Sequence, residues 1–306
     1  MTLEEAYRAY NQYEYGYGNS HPSTKRLQRA LQDIADAAAE THEGGMGTQP
    51  MYHFNNEQFE TSHAVLQARW GRLVGALKSF DVTATRYLLG TSLAALQDFY
   101  AHSNWIELGH DSILEDLGLP GGTLPEVARF DEETCTPCHP TGTDCSGGLT
   151  DTVLTSGILT SDYLAAMETI PLSGKCQLPP RQVGRTQRVE EGISKDLPSA
   201  CFSPRPDLHD RAATLAAQAT SHYLNELRRA VGNQLFSHLL SLHWRPPVAI
   251  VTDSGINLPL TTWSNPVDKQ PSYSTSYRLE PEEYIFVMYS NTLRGATGVF
   301  LSLIHI

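Results

Sequence analysis

The sequence predicts a mainly α protein: a helical bundle with a disulfide-rich irregular insertion and a partial β-containing C-terminal segment. Three observations predict it. Five stretches outside the middle of the chain read as helices, the clearest with apolar residues at 3/4 spacing. All five cysteines fall in a Pro/Gly/Thr-rich region over residues 130–205. After Pro246-Pro247 the pattern changes to short strand-like runs.

Taken in order, residues 1–23 form an N-terminal extension, polar and aromatic, with no basic and apolar leader over Met1–Tyr17. On this reading no signal peptide is present, and a truncated start is the expectation. Residues 24–41 are amphipathic, with Leu27, Leu31, Ile34, Ala35 and Ala38 on one face. Gly44, Gly45, Gly47 and then Pro50 end that helix. Further helices are expected over 56–79 and 84–105. Residues 110–205 read as irregular, with a short helix at 162–168. Helices resume over 207–231, with Leu208, Ala212, Leu215, Ala219 and Tyr223 in register, and over 234–242. Short strands are expected at 248–252, 272–278 and 284–289. This divides the chain into a helical domain over 24–244, with its Cys-rich loop at 130–205, and an unassigned β-rich piece over 248–300. The last six residues, Leu301 to Ile306, match the translation of a common sequencing-library adapter, so the natural chain is expected to continue beyond Phe300.

Composition narrows the function classes. Of 306 residues 40% are apolar and 18% charged, enough apolar material for a sizeable core. Lys plus Arg total 22 against 34 Asp plus Glu, a formal charge of −12. That sign argues against a nucleic-acid partner, which requires a basic face to displace phosphate counterions. It also disfavours anionic membranes without a bridging cation. No run of about 18 apolar residues offers a transmembrane helix.

Cys135, Cys138, Cys145 and Cys176 suit disulfides that staple a long loop in an oxidising compartment, with the pairing open. A structural zinc is the rival, since Cys135-Thr-Pro-Cys138 has the short thiolate spacing of such sites. Free thiols are the third reading, and Cys201 is left odd. No Asn-x-Ser/Thr sequon occurs.

The segment that carries chemistry runs from Leu88 to Gly109. On a helix, Asp98 and His102 are four residues apart and share a face, about 6 Å apart at Cβ. A carboxylate and an imidazole so placed can hold a divalent metal, and the imidazole can also move protons. His53, His63 and His209 could converge on that face. Each has a plainer reading as a hydrogen-bonded structural histidine.

Residues 96–109, Leu-Gln-Asp-Phe-Tyr-Ala-His-Ser-Asn-Trp-Ile-Glu-Leu-Gly, resemble the hallmark of the von Willebrand factor A domain-containing protein 7-like family and its Het-C-like relatives. The resemblance extends to Tyr52–Glu57, Ser62-His63, Leu154–Gly157, Gly174–Cys176, Gly192–Asp196, Phe202–Pro204 and Leu208-His209. It covers residues 24–244. Through its His-x-x-x-Asp-x-x-x-His helix that region is similar to zinc-dependent phospholipase C, which implies a bundle and metal ligation by the two histidines and the aspartate. This chain keeps Asp98 and His102 but has Ala94 at the first histidine position. A von Willebrand A domain would be expected near residue 248. Val248–Gly255 supplies a strand and Asp253, without the rest of the metal-binding loop.

Three functions follow as expectations. The first is a non-catalytic, secreted module with a degenerate metal site and an extracellular protein or matrix ligand as partner. The second is a zinc-dependent hydrolase of phospholipid or phosphodiester substrates. The third is a Het-C-like intracellular interaction factor.

Overall fold

A computed structural model describes residues 25–136, 148–164, 174–178, 192–199 and 203–241, together with strand backbone at 249–251, 257–259, 284–293 and 296–305. The protein is mainly helical. Helix α1 spans Lys25–Glu40, α2 Phe59–Lys78, α3 Val82–His102, α4 Asp151–Ser156, α5 His209–Val231 and α6 Asn233–Leu239.

Helix α3 is the central element: α1, α2 and α5 all pack on it. Its sequence explains why. Leu88, Leu89, Leu93, Ala94, Ala95, Leu96, Phe99 and Tyr100 are all buried, and they run round the helix rather than along one stripe. A helix apolar on most sides requires neighbours on most sides. By contrast α1 buries one face, Leu27, Leu31, Ile34, Ala35 and Ala38, as its 3/4 spacing requires. Fully burying a leucine or isoleucine of this kind is worth roughly 1.5–3 kcal/mol. At Gly90 the backbones of α1 and α3 nearly touch: a Cβ there would lie 2.2 Å from the Ile34 carbonyl oxygen. Gly90 therefore sets the separation of the two helices.

Local chemistry fixes the ends of α3. The Asp81 carboxylate accepts from the Ala84 amide at 3.0 Å and caps the N-terminus. At the other end the Ser103 hydroxyl donates to the Phe99 carbonyl, and the chain turns into an extended segment. Below that turn, Phe54, Phe59, Phe99, Tyr100 and Trp105 form an aromatic cluster with mostly edge-on or tilted rings, 5.0–6.0 Å between centroids.

The middle of the chain departs from expectation in two places. A helix occurs at Asp151–Ser156, N-capped by the Thr150 hydroxyl and stopped by Gly157 at φ +73°. The short helix expected at 162–168 is not what its first residues adopt. Tyr163–Leu164 form strand β1, paired in parallel with β2, Gln177–Leu178. The reason is tertiary. Cys135 and Cys176 are joined by a disulfide, which anchors the chain at 174–178 so that the Tyr163 amide donates to the Cys176 carbonyl at 2.7 Å. Residues 165–168 lie outside the described residues, as do Cys138, Cys145 and Cys201.

Beyond the bundle, β3 (Ala249–Val251) pairs antiparallel with β4 (Asn257–Pro259), and β5 (Tyr284–Leu293) with β6 (Ala296–His305). The strands expected at 248–252 and 284–289 correspond to β3 and β5, and 272–278 lies outside the described residues. Residues 301–305 belong to β6. No helix among the described residues is long and apolar enough to cross a membrane.

Candidate functional site

Asp98 and His102 lie on the last turns of α3, where the loop 50–57 crosses them. That loop starts as a 3₁₀ turn at Pro50–Tyr52 and then takes left-handed backbone at Phe54, Asn56 and Glu57, with φ of 55–56°. Non-glycine residues rarely adopt this region, and it persists only where the surroundings over-determine it. Here they do. Phe54 is fully buried, the Asn56 side chain accepts from the Leu164 amide at 2.8 Å, and the Glu57 amide donates to the Ser161 hydroxyl at 2.9 Å.

The result is that His53 meets Asp98. Its Nδ1–H donates to Asp98 Oδ2 at 2.7 Å, and both residues are buried. His42, in the turn after α1, stacks on His53 with ring centroids 5.0 Å apart. His42, His53 and Asp98 each offer one ligand atom, all within 4.8 Å of one another. Burial pushes the Asp98 carboxyl up. The positive charge of His42, the His53 hydrogen bond and the charge of His102 outweigh it and hold Asp98 below the ordinary carboxylate value.

His102 turns elsewhere. Nδ1 lies 3.2 Å from the His53 carbonyl oxygen and Nε2 lies 2.9 Å from Asp196 Oδ1. Both partners are acceptors, so both ring nitrogens donate and the ring is an imidazolium. Burial opposes that charge. Asp196, with help from Asp98 and Asp162, prevails and raises His102 to about 9. Its Nε2 is thus engaged by Asp196, a residue outside the cluster of His42, His53 and Asp98.

The other candidates are held in structure. His63 Nδ1 accepts from the Gly118 amide at 3.0 Å, and Nε2 faces the Gly122 carbonyl at 3.1 Å. His209 Nδ1 donates to the Lys195 carbonyl at 2.7 Å. Neither joins the His53–Asp98 cluster. Cys135 is bonded to Cys176. Ala94, one turn before Asp98, is buried at 4% exposure, so the imidazole expected there is replaced by packing.

Around this cluster runs a seam of buried charge for which the sequence reading gave no roles. Lys195 Nζ donates to Glu107 at 2.9 Å and to the carbonyls of Ser103 and Ile193. Lys175 Nζ sits 2.8 Å from both Glu57 oxygens, which also accept from Thr160 and Tyr163. Asp162 is fully buried; Oδ1 accepts from the Ile193 amide at 2.9 Å, while Oδ2 has no partner among the described residues. Burial is the main cause that raises its carboxyl to about 7. Gly192 makes the close approach possible: a Cβ there would lie 2.0 Å from the Gln177 carbonyl oxygen and 2.8 Å from Asp162 Oδ1.

Much of the hallmark segment is consumed by this seam. The Asn104 amide group bonds the backbone of 158–160 in both directions at 2.9 Å, and Trp105 donates to the Ser112 carbonyl at 2.8 Å. His42 was the functional candidate missed, and its only sequence signal is its place just before a glycine-rich reversal. The Lys and Glu partners lie 88 and 118 residues apart, which no local pattern reports.

A helical bundle wrapped on one central helix, with a His/Asp cluster at its C-terminal end and a disulfide-pinned insertion, defines the class. The chain belongs to the family described as the VWA7 N-terminal domain, whose model matches residues 1–237. It is similar to von Willebrand factor A domain-containing protein 7 of human, 33% identical over 234 residues, and of rat, 32% identical over 240. These alignments cover 76% and 78% of this chain but only 26% of each relative. The chain thus spans about a quarter of the length of the curated relatives it matches. No solved structure matches it.

Proposed function

We propose that this region is a non-catalytic helical module of an extracellular protein, and that its metal site is degenerate with respect to the phospholipase C-like pattern. One observation carries the reading. On the face of α3 where two histidines and an aspartate would hold metal, Ala94 is packed into the core and His102 donates from both nitrogens to His53 and Asp196. A hydrolytic zinc needs fixed ligands and an open position for a water of near-neutral pKa, and that face of α3 does not supply the pattern's set. The buried Cys135–Cys176 disulfide supports an oxidising compartment. The partner in this reading is an extracellular protein or matrix ligand.

The test is hydrolysis of a phosphocholine ester and a phosphodiester in the presence of zinc, with wild type beside Ala94→His. Wild type is expected to give no turnover above the metal-only rate. Zinc-dependent turnover by wild type would overturn the non-catalytic reading and favour the hydrolase. Alkylation without reduction, followed by peptide mass analysis, checks the compartment. Cys135 and Cys176 should be unlabelled in protein from its natural source, and labelled thiols there would favour the intracellular alternative.

A further inference from the structure

We propose that His42, His53 and Asp98 form a binding site for one divalent transition metal, in which His42 supplies the imidazole that is missing at Ala94. The inference deepens the degenerate-site reading above and rests on it only for the statement that α3 lacks its first histidine ligand.

The donor set comes from three separate elements: the turn after α1, the loop 50–57 and α3. Two imidazoles and one carboxylate suit zinc and its neighbours better than the hard, oxygen-seeking cations. Their ligand atoms lie within 4.8 Å of one another. Ligands on one zinc, bound at about 2.0–2.1 Å, sit roughly 3.3 Å apart, so side-chain adjustments of about an ångström close the site. The positions also differ in how freely they can adjust. Asp98 and His53 are fixed by packing, whereas His42 is half-buried and sits in the turn before Gly44, Gly45 and Gly47.

Access is provided on the same side. An open cleft of about 490 Å³ is lined by Glu40, Glu43, Gly44, Gly45, Met46 and Gln49, the residues that flank His42. The Met46 carbonyl is also 3.2 Å from His53 Nε2, so the cleft and the cluster share a wall. A metal arriving there would release the proton between His53 Nδ1 and Asp98 Oδ2 to solvent, leaving His53 Nε2–H on the Met46 carbonyl, and His102 would remain on Asp196. The pattern's own second histidine is therefore not a ligand in this arrangement.

The experiment is titration of the full chain with cobalt(II) and zinc(II), read by optical absorption and by metal stoichiometry after gel filtration. Wild type, His42→Ala, His53→Ala and His102→Gln are compared, with far-UV circular dichroism to confirm folding. The expected result is one metal per chain, with cobalt d–d bands of nitrogen/oxygen ligation and no sulfur charge-transfer band. His42→Ala should weaken binding by more than about 100-fold, beyond the roughly 10- to 100-fold that loss of a supporting residue costs. His102→Gln should bind nearly as wild type. Absence of stoichiometric binding, or binding indifferent to His42→Ala, or a sulfur charge-transfer band would overturn the proposal while leaving the non-catalytic reading intact. Binding as described together with ester hydrolysis would retain the site and overturn that reading instead.

Discussion

The bundle and the seam beside it are built on different physics. In the bundle, α1, α2, α3 and α5 bury leucines, alanines and aromatics, and periodic apolar residues decide which face turns inward. In the seam, the segments 53–57, 102–107, 134–135, 158–164, 174–178 and 192–196 meet through buried ion pairs, side-chain to backbone hydrogen bonds and the Cys135–Cys176 disulfide. Its apolar side chains mostly belong to the bundle core, as Phe54, Ile106 and Leu159 do, while Ile193 packs separately against the disulfide with Leu149. A bundle of this kind tolerates loss of one contact in proportion to the volume removed. A seam of charges does not, because removing one partner leaves the other buried and unpaired.

That contrast can be broken experimentally, beginning with the largest effect. Lys195→Met should destabilise by about 3–5 kcal/mol, since Glu107 at 4% side-chain exposure loses its 2.9 Å partner and keeps only Arg205 at 3.9 Å. The double variant Lys195→Met/Glu107→Leu should recover most of the loss, and urea unfolding of all three proteins checks it. In the bundle, Leu66→Ala should cost about 2–5 kcal/mol with no partner able to rescue it. The Cys135→Ala/Cys176→Ala variant should lose about 2–4 kcal/mol, because the bond closes a loop of 41 residues. Hydrogen exchange on that variant should show 174–178 and 192–196 opening while α3 stays protected.

The effect that is smallest at any one step is a pH slope. Asp162 ionises at about 7 in the fold against an ordinary 3.8, burial being the main cause. Across that window the native state keeps a proton that the unfolded chain has released, so stability falls as pH rises, by up to roughly 1.4 kcal/mol per pH unit. Above pH 7 the penalty is complete. Asp162→Asn keeps the oxygen that accepts from Ile193 and removes the charge, so its stability relative to wild type should climb between pH 4 and 7. A difference that does not change with pH would refute the assignment.

The same contrast explains what was legible in the sequence. The helices over α1, α2, α3 and α5 are readable because 3.6-residue periodicity is local, and the buried face of α1 follows residue for residue from Leu27 to Ala38. The short helix α4 was legible in principle from Thr150 and Gly157, but it spans less than two turns and carries no periodic signal. Tyr163–Leu164 was misread as helix because its conformation is imposed by Cys176 and Ile193, which lie beyond any local window. The site divides along the same line. Asp98 and His53 were readable as metal-ligand types, whereas the turn of His102 toward Asp196 depends on a residue 94 positions away. His42 became a candidate only when the glycine-rich reversal brought it back over His53.

The most direct measurement is the protonation of the histidine rings, read by long-range ¹H–¹⁵N correlation at pH 7.5 with and without zinc. The account predicts that both nitrogens of His102 are protonated and unchanged by metal, while the resonances of His42 and His53 shift together on addition of one equivalent. A His102 ring with one bare nitrogen, or one that moves with zinc while His42 stays still, would contradict it.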